Sequence, residues 1–237
     1  HFVPDVEARQ WSDGRMYLYG SYDILGNTRY CSREYHVFSS GDLEHWTDHG
    51  VSFRSAPPAS DVPWNDAPLY APDCICRGGV YTLCFCQAGG SEGMATSWSP
   101  CGPFTNAYPV KGADGDGIDP AILLDDDGQA YYYWGQFTAR GARLKPDFSS
   151  IQPETLQTRL LTEDEHGFHE GICIRKRGDT YYLVYTDISR GKATCLSYAT
   201  GSSPLGPFQK GGVIIDNLGC DPETWNKNGS CRPNSTP

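Results

Sequence analysis

The sequence predicts an all-β fold of the β-propeller type, and three observations predict it. The first is a repeated unit of acidic residue, strand, glycine turn and aromatic strand over residues 5–17, 73–81, 119–131 and 170–181. The second is its period. Glycine turns near residues 14, 79, 128 and 178 stand about fifty to sixty-five residues apart, which is the length of four short strands and the signature of a propeller blade. The third is composition: 27 Gly and 17 Pro suit a turn-rich chain, and no segment sustains a 3.6-residue apolar period.

The first unit opens at Pro4-Asp5-Val6-Glu7, turns at Asp13-Gly14 and returns through Met16-Tyr17-Leu18-Tyr19, an aromatic strand on the far side of a glycine turn. It closes through Phe38-Ser39-Ser40 and Leu43-Glu44-His45-Trp46. The second opens at Tyr70-Ala71-Pro72-Asp73, has a shorter hairpin around Gly78-Gly79, and closes at Trp98-Ser99-Pro100-Cys101-Gly102-Pro103-Phe104. The third opens at Asp119-Pro120-Ala121-Ile122, turns at Asp127-Gly128, and runs back through Tyr131-Tyr132-Tyr133-Trp134 to a close near Pro146-Asp147-Phe148. The fourth opens at Glu170-Gly171-Ile172-Cys173, turns at Gly178-Asp179, and closes at Pro204-Leu205-Gly206-Pro207-Phe208. Blades are therefore expected near 5–53, 70–110, 117–160 and 168–215, in one propeller domain over 1–230. Asp221-Pro222-Glu223-Thr224-Trp225-Asn226 announces a further blade, and 231–237 reads as a loose polar tail.

If the units are equivalent, Asp5, Asp119 and Glu170 all lie at the start of an innermost strand and converge on one mouth. Converging carboxylates are what glycoside hydrolysis requires. An Asp at a strand start also serves as a turn residue, and on that second interpretation the chain is a protein-interaction propeller. Glu7 competes with Asp5, since alternation places it on the same strand face.

Lys and Arg number 19 against 29 Asp and Glu, a net charge of −10, and no basic block is present to follow a phosphate backbone. Nucleic acid is thereby excluded as an expected partner. No apolar run is long enough to span a bilayer, and the start carries no signal-peptide pattern. Four of the ten cysteines fall in the hairpin at 74, 76, 84 and 86. A register pairing Cys74 with Cys86 and Cys76 with Cys84 would set all four on one face. Reduced core thiols are expected there rather than a tetrathiolate metal site, because the spacing is not that of a zinc ribbon. Asp125-Asp126-Asp127-Gly128 reads as a β-turn, since the rest of a calcium loop is missing.

Pro4-Asp5 with its tyrosine-rich hairpin, Tyr70-Ala71-Pro72-Asp73, Gly117-Ile118-Asp119-Pro120-Ala121 and His169-Glu170-Gly171, in this order and spacing, resemble glycoside hydrolase family 43. The resemblance implies a five-bladed β-propeller, with about four blades present here, that cleaves arabinose- or xylose-containing glycans with inversion. It implies Asp5 as general base, Asp119 as the residue that tunes pKa and orients substrate, and Glu170 as general acid. The chemistry agrees: a third carboxylate near the acid raises its pKa by like-charge repulsion. α-L-Arabinofuranosidase or arabinan hydrolase is the first expected activity, with β-xylosidase and a catalytically impaired glycan-binding propeller as alternatives. His169 and Asp73 are candidate substrate contacts, Asp73 alternatively structural. Trp11, Trp64, Phe137 and Phe168 are candidate platforms for sugar rings. No cofactor is required. The family's central calcium is in doubt, because Asn228 stands where a histidine helps hold the ion. A missing closing blade predicts an open edge covered by a second copy or a completing chain through the face at 217–225.

Overall fold

The computed structural model describes residues 2–56, 60–89, 91–113, 117–189 and 195–216. The described residues form four four-stranded antiparallel sheets, each a meander in sequence order. Blade 1 holds β1 (Glu7–Gln10), β2 (Met16–Tyr19), β3 (Glu34–Ser40) and β4 (Thr47–Arg54). Blade 2 holds β5 (Leu69–Arg77), β6 (Val80–Gln87), β7 (Ser91–Ser97) and β8 (Thr105–Pro109). Blade 3 holds β9 (Ala121–Leu124), β10 (Ala130–Trp134), β11 (Thr138–Arg143) and β12 (Gln157–Thr162). Blade 4 holds β13 (Phe168–Arg177), β14 (Thr180–Asp187), β15 (Cys195–Gly201) and β16 (Gln209–Asp216). The α-helix among the described residues is one turn, α1 (Glu163–His166), capped by the Thr162 hydroxyl, which accepts the Glu165 N–H at 3.2 Å, and ended by Gly167 at φ 71°.

The core lies between blades rather than within them. Tyr19, Tyr35 and Phe53 of blade 1 pack against Leu83, Phe85 and Phe104 of blade 2. Cys84 and Met94 of blade 2 pack against Tyr132 and Trp134 of blade 3. Tyr133 and Leu161 of blade 3 pack against Ile174, Leu183 and Tyr185 of blade 4. This is why the aromatic second strands recur: each supplies rings to an interblade seam, where burying one ring contributes on the order of 2 kcal/mol. The fourth junction, from blade 4 back to blade 1, has no such seam among the described residues. It is crossed by Arg175, which donates to the Glu7 carboxylate and, at 3.0 Å, to the Ala8 carbonyl. Leu196, Val213, Ile214 and Ile215 of blade 4 remain exposed.

The cysteine hairpin departs from the expected register. Arg77 pairs with Val80 across a two-residue turn in which Gly78 and Gly79 both have positive φ, so Cys74 faces Leu83 and Cys76 faces Tyr81. Alternation then splits the four thiols between the two faces of the sheet. Cys74 enters the blade 1–2 seam and Cys84 the blade 2–3 seam. Four thiolates around one metal are geometrically excluded here, and both sulfurs serve as small core groups. Residues 217–237, with the expected fifth-blade approach, association face and tail, lie outside the described residues.

Candidate active site

The innermost strands β1, β5, β9 and β13 run away from a common mouth, and Asp5, Asp119 and Glu170 sit at its rim or at the strand heads. A cavity of about 350 Å³ is lined by all three, together with Asp73, Cys173, Val184 and Leu196. Asp5 and Asp119 share an unusual backbone: φ is 54° at one and 53° at the other, a left-handed turn that swings each carboxylate off its strand direction into the axis. At Glu170 the left-handed position falls instead on the following Gly171, at φ 68°.

Each acid has its own holder. The Ser21 hydroxyl donates to Asp5 Oδ2 at 2.9 Å. Gln136 Nε2 donates to Glu170 Oε2 at 2.7 Å. Asp119 Oδ2 accepts the Gly171 N–H at 3.0 Å, and its own N–H donates to Cys86 Sγ at 3.3 Å. Loss of hydration raises the Asp5 carboxyl; the Ser21 hydroxyl pulls it back, and the charges of Glu170 and Asp23 push it up again. Asp119 is pushed up to about 7, chiefly by burial, then by the charges of Glu170 and Asp5, against the opposing pull of the Gly171 N–H. The like-charge repulsion expected within the cluster therefore bears on Asp119 itself.

Beneath this layer, Arg9 grips Asp73 through both its Nε and Nη2, and Nη2 also reaches the Ile122 carbonyl at 3.1 Å. Asp73 accepts the Ile122 N–H at 2.9 Å, and Arg9 also pairs with Glu7 at 3.2 Å. One guanidinium thus ties blades 1, 2 and 3 together at the axis. Glu7 is held by Arg9 and Arg175 and is buried, which leaves Asp5, just before β1, as the water-accessible acid of blade 1.

A model of the family described as Glycosyl hydrolases family 43 matches residues 1–230. The chain belongs to this family. The xylosidase/arabinosidase of Bacteroides ovatus is 30% identical over 253 residues, covering 86% of this chain and 75% of its own length. Xylosidase/arabinosidase 43A of Humicola insolens is 32% identical over 274 residues, covering 91% of this chain and 80% of its own. Among solved structures, CoXyl43, a GH43 beta-xylosidase/alpha-arabinofuranosidase from a compost microbial metagenome in complex with xylotriose, matches with a TM-score of 0.78 at 29% identity, over 91% of this chain and 78% of its own. The family-43 chain is a glycoside hydrolase, and its four blades correspond to a fold that these relatives share.

Several candidates from the sequence fall away from the cavity of this family-43 chain. Trp11 sits in the β1–β2 turn at the far end of β1, its ring edge-on to Tyr81 at 5.4 Å and its indole N–H donating to Tyr19 at 3.0 Å; it is interblade packing. Phe168 is fully buried against Tyr185 in the blade 3–4 seam and offers no face to a sugar. Trp64 stacks on Phe85 at 6.2 Å and does not line the cavity. Phe137, half exposed and edge-on to His169 at 5.2 Å, stands on the rim beside Glu170 through the Gln136 neighbour, not in the cavity wall. His169 turns its Nδ1 to Glu163 Oε1 at 2.9 Å, away from the acids. Asp73 lines the cavity, but its oxygens are occupied by Arg9 and the Ile122 N–H, so it is a structural pin.

Sequence reasoning missed Ser21, Gln136, Arg9, Arg175 and Glu92. Ser21 and Gln136 had a signal: each follows an aromatic-glycine pair, Tyr19-Gly20 and Trp134-Gly135, at the end of the second strand of its blade. Glu92 is buried beneath the 117–119 turn, accepting the Tyr132 hydroxyl through Oε2, while Oε1 has no partner. Gly117 lies close above it: a Cβ there would come within 2.8 Å of Oε1. Burial raises the Glu92 carboxyl to about 8, against the Tyr132 hydrogen bond, with the Asp119 charge adding to the rise.

The Asn228 position that bears on a central calcium lies outside the described residues. On the described axis the carboxylates of Glu7 and Asp73 are already neutralised by Arg9 and Arg175, and no group of three His, Cys, Asp or Glu side chains among the described residues is placed to hold a metal. These residues do not fit a central ion.

Proposed function

We propose that this chain is an inverting hydrolase acting on arabinose- or xylose-containing plant cell-wall glycans, with α-L-arabinofuranosides as its first substrates and β-xylosides as the alternative. One observation carries it: three carboxylates from three blades share a single cavity, two of them turned inward by matched left-handed backbones. Asp5 serves as general base, taking a proton from the water that attacks the anomeric carbon. Glu170 serves as general acid, delivering its proton to the glycosidic oxygen as the bond to that carbon breaks. The two protons exchange with solvent afterwards, and the product anomer is inverted. Ser21 keeps Asp5 aimed while leaving its other oxygen free, and Gln136 does the same for Glu170. Asp119 orients a sugar hydroxyl while its Oδ2 holds the Gly171 peptide. Two carboxyl groups and water complete this chemistry without a cofactor. The relatives named xylosidase/arabinosidase support the choice of pentose glycans.

The test is turnover of aryl α-L-arabinofuranoside and aryl β-D-xyloside side by side, with the first-formed anomer read by NMR. Turnover of either with inversion supports the proposal, and retention overturns it. One observation favours a second interpretation, a glycan-binding propeller without turnover: the blade 4 wall of the cavity, formed by Glu170 to Cys173 and Val184 to Thr186, ends at the exposed Leu196. Glycan binding with no hydrolysis of either substrate would select it.

A further inference from the structure

Trp98 is 81% exposed at the end of β7, on the face opposite the mouth that holds the three acids. A tryptophan so placed gives up much of the stabilisation its ring would gain by burial. The turn that carries it is not loose. Tyr19 of blade 1 donates its hydroxyl to the Pro100 carbonyl at 2.8 Å, and the Phe104 N–H donates to the Ser52 carbonyl at 2.8 Å. Within the turn, the Gly102 N–H donates to the Ser99 carbonyl at 3.2 Å, with Gly102 at φ 79°.

Blade 4 repeats this turn. Pro204-Leu205-Gly206-Pro207-Phe208 matches Pro100-Cys101-Gly102-Pro103-Phe104. Tyr133 donates to the Pro204 carbonyl at 2.8 Å, the Gly206 N–H to the Ser203 carbonyl at 3.0 Å, and Gly206 has φ 74°. At the position of Trp98, blade 4 carries Ser202. The turn therefore forms without an indole, and Trp98 is not explained by folding.

Beside the ring lies a depression of about 480 Å³ lined by Val80, Thr96, Ser97, Ser99, Thr105 and Asn106 with the turn's own glycine and proline. Its lining is hydroxyls, a carboxamide and apolar carbon, with no charged side chain. That chemistry suits a neutral polyhydroxylated ligand: an apolar sugar face on the indole, hydroxyls to Ser, Thr and Asn, and no charge to pair with a phosphate or a carboxylate. The platform is held by blade 1 before any ligand arrives, so little ordering accompanies binding.

We infer that Trp98 and its neutral surround form a second glycan-binding site, remote from the hydrolytic cavity, that takes the uncharged main chain of the polysaccharide whose residues the cavity cleaves. The ligand class rests on the proposed glycosidase activity; the existence of the site does not. It would hold the polymer against the protein while the mouth on the opposite face works on neighbouring chains, so it contributes to polymeric and not to small substrates.

The experiment is native gel electrophoresis in gels cast with neutral arabinoxylan or with anionic polygalacturonate, for the wild-type chain, Trp98→Ser (the residue blade 4 carries there) and Trp98→Tyr. Melting curves and aryl-glycoside turnover are recorded for each. The expected result is retardation by arabinoxylan that weakens about tenfold in Trp98→Ser, persists in Trp98→Tyr, and is absent in polygalacturonate. Aryl-glycoside turnover and melting temperature should stay at wild-type values. Equal retardation of wild type and Trp98→Ser, or none of the wild type, overturns the site. Stronger retardation by polygalacturonate overturns the neutral-ligand assignment. Absence of aryl-glycoside turnover with Trp98-dependent retardation overturns the hydrolase assignment and supports the site.

Discussion

Asp119 Oδ2 accepts the backbone N–H of Gly171 at 3.0 Å, a bond from the head of blade 3 to the peptide directly after Glu170 in blade 4. Gly171 reaches that position at φ 68°, and a Cβ there would stand 3.3 Å from Thr186 Oγ1. Gly171→Ala should therefore cost about 1–2 kcal/mol of stability from the left-handed backbone alone. It should also lower kcat more than it raises KM, because it displaces Asp119 and the proposed acid Glu170. Urea melts and steady-state kinetics check this, and wild-type values in both would show that the bond does not position the cluster.

Asp119 is raised to about 7 from an ordinary carboxylate value, so the folded chain binds a proton that the unfolded chain releases. The sign follows: wild-type stability falls as pH rises from about 4 to about 7, relative to a variant without this titration. Asp119→Asn should then melt higher than wild type at pH 7, by at least about 2 °C, the shift that roughly 1 kcal/mol makes in a chain of this size. The gap should close near pH 4, while activity falls at every pH. A variant less stable than wild type at pH 7 would contradict the assignment.

Glu92 makes the same argument one layer down. Its carboxyl is raised to about 8 by burial and has one unpartnered oxygen. Glu92→Gln keeps the shape without the titration. Its melting temperature should rise above that of wild type progressively from pH 5 to pH 8 and then level off. Aryl-glycoside turnover should remain within about threefold of wild type at pH 6, where Glu92 is protonated. A pH-independent difference in melting would sink this interpretation.

Arg9 should be the costliest residue of the axis to remove. Breaking a buried pair strands its partner, and such losses run to about 3–5 kcal/mol. Arg9→Gln leaves Asp73 buried without a cation, whereas Asp73→Asn leaves Arg9 its contact with Glu7 at 3.2 Å. Chemical denaturation should rank the first as clearly worse than the second; equal or reversed losses would remove Arg9 as the tie among three blades.

The blades and the three acids were legible because they repeat. A strand head with an acid means little once, but at matching places in several units it marks an axis. What repetition cannot reveal is which end of a strand a lone aromatic occupies, and Trp11, one short strand away from Asp5, proved to be at the wrong end. Phe168 was misread for a related reason: two residues before Glu170, it would share that residue's face by simple alternation, but the register shifts between them and Phe168 is buried in the seam. The cysteine hairpin failed on counting, since a two-residue turn at Gly78-Gly79 moves every partner and divides the thiols between faces. Glu92 gave no signal at all. In a strand of mixed residues, nothing in sequence tells a solvated glutamate from one buried beneath a turn.

The assignment of Glu170 as the acid and Asp5 as the base is tested most directly by the dependence of two variants on the leaving group. Each variant is assayed on a natural arabino- or xylo-oligosaccharide and on the matching nitrophenyl glycoside, whose leaving group departs without protonation. Glu170→Ala should lose on the order of a hundredfold or more on the oligosaccharide and far less on the nitrophenyl glycoside. Asp5→Ala should lose by a similar large factor on both, because the attacking water needs its base in either case. An equal loss by Glu170→Ala on the two substrates, or a loss by Asp5→Ala confined to the oligosaccharide, would contradict the assignment.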